Sequence, residues 1–579
     1  MRQGLNRLWL ILILAAFCVP LFVGLGSTDL DNDEAIYSYA VDSILKTGDW
    51  LSPRSSPNED VTFLEKPPLK FWIVAAPISL GLLPHNEFGL RFWDALFGAV
   101  AFAYVFLIGR RLAGPVCGAM ALLVLFAHEP LIFDHGLRSN NMDAALMLAY
   151  CGGVYHYLRW SAASGAARSW HIAAVAAWFF LGFMTKFVAA LFLPVVLGVS
   201  ALAVPAQRRQ LIQDWWRWAL AGVAVLACAF PWFYYQYTLH GLAVWRIMFG
   251  EHVYTRFTTF ADPAHLQPWH FYITAAYSQL ERSGSILWIA LGLIELIVQA
   301  MRRRTPEWVI VALWLMLPVT LISLGSSKLY HYLYPYLPPL ALAAGAGVAW
   351  IADAANRRLQ IFERLQWRVP NRVRAVAWVV TGLAIAVALG TVINDGVRLY
   401  AGNFLLFRNT SLVRPLVIAG VGIAVAASLR AGVALVAVVL VQMVLPTPVG
   451  AYADNLRRLK VEDRRLAALG KCLREVDSRR TDAAAPAGIY APVWDAFLHP
   501  YFYYLRGTGW LDRRVDDERL HAALRVVGQE RPVALDEADY IEFQKRTGLL
   551  TGRQAEIKMR GVVIVLPGPY AECASSGGR

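Results

Sequence analysis

Two polar islands carry residue types that can do chemistry: Asp33-Glu34 in DNDEAIYSYA and Glu65-Lys66 in FLEKPPLKFW. A carboxylate can deprotonate or orient a hydroxyl. A lysine followed by Pro67 and Pro68 sits on a backbone with little freedom and can hold an anion in a fixed place. Further polar residues interrupt apolar sequence at Arg138 and Asp143 (RSNNMD), Lys186 (MTKF), His252 and Arg256 (EHVYTRF), and Lys328 and Tyr332 (SSKLYHYLYP). Carboxylates and cations concentrated in this way are candidates for chemistry at a membrane surface.

These islands are set in a very hydrophobic chain. Of 579 residues, 57% are hydrophobic and 16% charged, with mean hydropathy +0.45. Soluble proteins keep roughly a quarter of their residues charged. Apolar runs near the length needed to cross ~30 Å of hydrocarbon recur as far as residue 450 and define a polytopic α-helical membrane protein. The first run, Leu8 to Leu25, has the length of a signal peptide but no A-x-A-like cleavage site, and many runs follow it.

Arginine clusters punctuate the runs at Arg110-Arg111, Arg208-Arg209, Arg302-Arg303-Arg304 and from Arg357 to Arg374. Read as cytoplasmic loops, they give about thirteen spans, near 8–26, 91–109, 114–132, 143–158, 170–184, 187–205, 216–236, 285–301, 307–324, 334–352, 375–393, 413–428 and 431–449. The N-terminus is then cytoplasmic and the C-terminus outside. The net charge of +13 is spread over short loops, which excludes a nucleic-acid face and favours anionic lipid headgroups.

The polar islands all fall on the outer side, in loops 27–90, 237–284 and 325–333 or at their membrane borders. AIYSYAVDSILKTGDW and PPLKFWIVAAPISLGLL predict two interfacial helices in the first loop, the second opened by its prolines. A transmembrane domain of residues 1–450 is followed by a charged segment, 451–579, whose amphipathic helix and alternating strands predict a soluble α/β domain. Cys472 and Cys573 lie there, where an oxidising compartment permits a disulfide; two free thiols are the alternative.

The islands occur in an order that resembles the bacterial aminoarabinose transferase and protein O-mannosyltransferase group: DNDEAIYSYA, FLEKPPLKFW, Arg91, RSNNMD, MTKF, EHVYTRF, SSKLYHYLYP. The resemblance covers roughly residues 8–350 in motifs and the whole chain in architecture. It implies a glycosyltransferase-C fold in a bacterial inner membrane, a periplasmic site and a polyprenyl-phosphate-linked sugar donor, hexose or pentose, attacked with inversion. It places catalysis on Asp33 and Glu34, with Asp33 the family carboxylate. It places phosphate or substrate binding on Lys66, Arg138, Asp143, Lys186, Arg256, Lys328 and Tyr332. Glu65 and His252 match a pair implied to hold zinc, although structural zinc has four protein ligands as a rule, and a Glu–His hydrogen bond would brace the same loops.

The acceptor expected on architecture is a lipid A-like glycolipid, ahead of a protein or polysaccharide, and the chain is expected to act as a monomer. A transporter or flippase for lipid-linked sugars would set its ionisable groups near the midplane on broken helices; here they gather at one surface. An oligosaccharyltransferase would carry W-W-D-Y-G, which the chain lacks.

Overall fold

The computed structural model describes residues 2–55, 61–259, 263–358, 370–394, 396–402, 404–410, 413–427, 448–479, 490–491, 499–505, 509–510, 532–537, 540–541, 555–559, 561–566 and 568–577. Among them, six helices are long and apolar enough to cross a membrane: Glu87–Ala113, Gly165–Ala190, Trp215–His240, Pro306–Leu324, Tyr330–Ala354 and Asn371–Thr391. Shorter apolar helices at Leu10–Phe22, Pro115–Ala127 and Phe192–Ala203 occupy three more of the expected runs. Helices Asp143–Ala162, Ile286–Arg302 and Val413–Ala427 occupy another three. The run at 431–449 falls largely outside the described residues.

The bundle closes by backbone approach. Helices Ile286–Arg302 and Leu337–Arg358 meet where Gly292 faces Ala343, and a Cβ on Gly292 would lie 1.9 Å from the Ala343 carbonyl oxygen. Without a hydrophobic force between helices in lipid, such small-residue contacts carry much of the packing.

The first loop folds as its pattern predicts into helices Asn32–Thr47 and Leu69–Ser79. Asp31 and Glu34 form a reciprocal capping box at the start of the first, satisfying backbone N–H groups that have no partner within the helix. Gly48 ends it with φ +74, a conformation glycine adopts without steric cost.

Residues beyond 448 include helices Pro448–Arg458 and Arg465–Ser478 and a five-stranded mixed sheet, ordered Gly509–Trp510, Tyr490–Ala491, Val533–Asp536, Val562–Leu566, Ala555–Met559. Cys472 and Cys573 are disulfide-bonded. This region rests on the first loop through satisfied polar contacts. The Asp29 carboxylate accepts from the N–H groups of Leu466 and Ala467 at 2.7 and 3.2 Å, capping helix Arg465–Ser478. The Leu30 N–H donates to Tyr504 Oη at 2.7 Å, and that hydroxyl donates to Glu87 Oε1 at 2.9 Å.

Candidate functional site

A cavity of about 210 Å³ lies beside the two loop helices, at the ends of several spans. Three cations line it: Lys66 before helix Leu69–Ser79, Lys186 at the last turn of helix Gly165–Lys186, and Arg256 after a π-helical segment, Arg246–Thr255. Glu65, Asp143 and Tyr332 join them, and Leu146, Phe187, Phe192 and Ile322 supply apolar wall. The cavity therefore combines cationic and apolar lining, which suits a lipid carrying an anionic head.

Local backbone irregularity aims these groups. Phe187 has φ +45, rare for a bulky residue, and breaks the helix directly after Lys186. Lys186 thus ends the helix, where the dipole favours a cation. Its Nζ lies 2.5 Å from Asp143 Oδ1 and 5.6 Å from the centroid of the Tyr332 ring. Arg256 donates from Nη1 to Tyr332 Oη at 2.7 Å.

Lys66 is held below the usual lysine range, at about 8, chiefly by burial; Arg256 and Lys186 push the same way, while Glu65 and Asp33 partly oppose. An ammonium in such company gains by acquiring an anion.

The remaining expected residues separate from this cluster. Glu34 is buried, with both oxygens engaged: Arg91 Nε and Nη2 donate to Oε1 and Oε2 at 2.7 and 2.6 Å, and the N–H groups of Asn140 and Asp31 donate at 2.7 and 2.9 Å. Burial alone would raise this carboxyl; the Arg91 charge and these hydrogen bonds hold it below the ordinary range. Its geometry is that of a brace.

Arg138, expected at phosphate, donates to the carbonyls of Pro20, Leu21, Val23 and Gly24 at 3.1, 3.1, 2.6 and 3.1 Å and does not line the cavity. Lys328 is also absent from the lining: its Nζ donates to the Gln267 carbonyl at 2.7 Å and to that of Gly325. Both cations tie backbone segments together. Asp143, read as a substrate anchor, reaches the cavity as the partner of Lys186.

Asp33 stands outside the cavity lining, its side chain one-third exposed, with Oδ2 3.6 Å from His135 Nδ1. Its charge is felt by Lys66. His135 stacks on His331 with centroids 4.7 Å apart and carries φ +52. Sequence reasoning missed His135, His331 and Asn140; the polar RSNN run was the available signal for the last of these.

Glu65 is exposed at the cavity edge, and His252 belongs to the π-helical segment, its side chain outside the described residues. Among the described residues no group of three or more His, Cys, Asp or Glu could hold a metal. The zinc expectation gains no support.

Comparison with known proteins follows the same geometry. The sequence profile of the dolichyl-phosphate-mannose-protein mannosyltransferase family matches residues 65–235, from the Glu65-Lys66 island into helix Trp215–His240. An undecaprenyl phosphate-alpha-4-amino-4-deoxy-L-arabinose arabinosyl transferase of Pseudomonas aeruginosa is 29% identical over 411 residues, covering 64% of this chain and 70% of the relative. A similarly named protein of Pseudomonas fluorescens is 27% identical over 342 residues; the chain spans 56% of that relative, with 57% of its own length in the match. Among solved structures, ArnT from Cupriavidus metallidurans bound to undecaprenyl phosphate superposes with TM-score 0.62 at 18% identity, covering 96% of this chain and 97% of the other. The oligosaccharyltransferase AglB from Archaeoglobus fulgidus gives TM-score 0.51 at 12% identity, covering 97% and 74%. The fold is that of ArnT, and in sequence the chain is similar to the aminoarabinose transferases and, over residues 65–235, to the protein mannosyltransferases.

Proposed function

We propose that this protein is an inverting glycosyltransferase of the bacterial inner membrane, moving a sugar from a polyprenyl-phosphate-linked donor to a lipid A-like glycolipid at the periplasmic face. The observation that carries this reading is the convergence of Lys66, Lys186 and Arg256, with Tyr332, on one cavity with apolar walls. The donor phosphate would lie against the cations with its polyprenyl chain along the greasy wall, and relatives named for undecaprenyl phosphate aminoarabinose support a pentosyl donor of that kind.

The chemistry follows from charge. As the anomeric carbon–oxygen bond breaks, the electron pair stays with the phosphate, and preorganised cations stabilise the developing charge. Asp33 would face the sugar side of the cluster. It would take the proton of an attacking hydroxyl; where the acceptor is already an anionic phosphate no base is needed, and Asp33 would orient the donor sugar. Glu34 acts through its hold on Arg91 and the start of helix Asn32–Thr47, as a positioning residue. Residues 451–579 would form the acceptor-facing α/β domain.

The test is reconstitution of the purified full-length protein in vesicles with undecaprenyl-phosphate-linked 4-aminoarabinose and lipid A, read by mass spectrometry. A pentosyl mass increment on lipid A is expected. An unchanged lipid A spectrum, with sugar appearing instead on envelope protein or polymer supplied alongside, would overturn the acceptor. Donor left uncleaved under all acceptors would overturn the enzyme reading.

A further inference from the structure

One prominent surface element takes no part in the cavity. Strands Val397–Ala401 and Phe404–Asn409 pair antiparallel as a hairpin between helices Asn371–Asn394 and Val413–Ala427. Its base is fastened: Asn409 Nδ2 donates to Thr391 Oγ1 at 2.9 Å, and Lys460 Nζ reaches the Thr391 carbonyl at 3.4 Å. The neighbouring Val461 carbonyl accepts from Ser27 Oγ at 2.9 Å. The hairpin therefore leaves its helices at the end of the bundle where the first loop, with Asp33 and Lys66, begins.

A hairpin that stands in water alternates apolar and polar side chains so that one face is solvated. Among the described residues this one has no polar face beyond its base. Leu399, Tyr400, Phe404, Leu405, Leu406 and Phe407 are all exposed, Phe404 at 70% and Leu406 at 63%. Successive residues of a regular strand point to opposite faces, so Leu399 and Tyr400 make both faces apolar, while on the partner strand Leu406 is the extra residue of a bulge between Leu405 and Phe407. A lone two-stranded hairpin is at best marginal in water, and its open edges invite pairing.

The register adds a second oddity: Arg398 stands directly opposite Arg408. Like charges in that position weaken a strand pair. Both side chains are exposed, and neither has an ion-pair partner among the described residues.

We propose that the hairpin is a lipid-inserted wedge: its apolar tip enters the acyl chains of the leaflet on the cavity side, and Arg398 and Arg408 together hold an anionic headgroup phosphate at its base. An anion between two opposed guanidinium groups turns their repulsion into shared attraction, and aromatic and arginine side chains are at home at headgroup depth. The occupant is lipid because the hairpin continues directly into a lipid-facing helix, where Val376, Val379 and Leu383 are 62%, 61% and 63% exposed. Through Thr391 and Lys460 the wedge would tie the segment leading to residues 465–478 to the bilayer surface.

The test uses full-length protein in vesicles of phosphatidylethanolamine and phosphatidylglycerol. Phe404→Cys, labelled with bimane, is compared with identically treated protein lacking the substitution, whose exposed Cys228 sets the background. Nitroxide placed on lipid acyl chains is expected to quench the tip several-fold more than aqueous iodide does. Arg398→Gln with Arg408→Gln is expected to shift quenching toward iodide in phosphatidylglycerol vesicles. Free access to iodide with no nitroxide quenching would overturn the proposal. So would disulfide-linked dimers of the unlabelled Phe404→Cys protein, which would assign the face to a second copy of the chain. Leu406→Cys repeats the measurement on the same strand, so the proposal stays testable if the first variant folds poorly.

Discussion

Two sets of cations lie within one end of this molecule, and they are built differently. Arg91, Lys70 and Arg138 are closed into the scaffold. Arg91 forms a bidentate pair with Glu34, Lys70 meets Asp94 at 2.7 Å and Asn140 at 3.0 Å, and Arg138 binds four carbonyls. Lys66, Lys186 and Arg256 face a cavity, and donors remain to them. Among the described residues Lys186 gives one hydrogen bond, to Asp143, and Arg256 one, to Tyr332, out of three and five available. Residue type is the same in both sets. What separates anchor from ligand site is whether protein acceptors use up the donors.

The sharpest way to break this comparison is to remove a member of the closed set. Arg91→Ala leaves Glu34 buried without its counter-charge, and breaking a buried pair from one side costs about 3–5 kcal/mol. Loss of folded protein on solubilisation, measured by thermal unfolding in detergent, is the expected outcome. Arg91→Lys should fare little better, since an ammonium cannot reproduce the two-pronged contact. A variant that folds normally but fails only in catalysis would move Arg91 into the other set.

Lys66→Ala tests the open set. Removing one preorganised charge partner of a transition state costs about 10²–10³ in rate, read as sugar transfer by the reconstituted protein. Stability should behave in the opposite way. Burial holds the folded-state Lys66 pKa at about 8, below its unfolded value. The protonated form therefore costs folding free energy at pH below about 8, and the cost fades as pH rises toward the unfolded value. At neutral pH the variant should unfold at the same or a higher temperature. Lowered thermal stability there would mean that Lys66 belongs to the scaffold.

The division was only half legible in the sequence. Helices in the first loop follow from helical apolar spacing through Tyr37, Ala40, Val41 and Ile44 and from the Pro67-Pro68 start, which are local signals. Lys66 and Lys186 border apolar runs in the sequence, where an unpaired cation is costly, and both line the cavity. Arg138 and Lys328, expected at phosphate, donate to backbone carbonyls at Pro20–Gly24 and at Gln267 and Gly325, and carbonyls carry no sequence signature. Glu34 and Asp33 are adjacent in sequence yet project from the helix in different directions, one into Arg91 and one toward His135. No spacing rule could have said which was which before Arg91 was brought alongside.

A pH profile sharpens the open set further. Lys66 must carry its proton to hold a phosphate, so donor binding should weaken as pH rises past about 8, and kcat/KM for the donor, which reports the free enzyme, should fall on that alkaline limb. Phosphate in the site favours the protonated form, so kcat should hold to higher pH. Lys66→Arg keeps its charge throughout this range and should flatten the limb. A limb unchanged in Lys66→Arg would assign it to another group.

The smallest expected effect is at Tyr332, and it discriminates most finely. The hydroxyl accepts from Arg256 at 2.7 Å, and Lys186 lies over the ring. Tyr332→Phe removes the first contact and keeps the second. A hydrogen bond to a charged group contributes about 1.5–3 kcal/mol when its loss leaves the partner bare, but Arg256 is one of the groups with donors to spare and would turn to the bound phosphate or to water. The net loss should therefore lie near the lower end of that range, around a tenfold rise in donor KM with little change in kcat, because the arginine still reaches the phosphate once the donor is seated. A fall in kcat with KM unchanged would show instead that the tyrosine hydroxyl itself touches the leaving group in the transition state, making Tyr332 a member of the cationic cluster in its own right and not the support of Arg256.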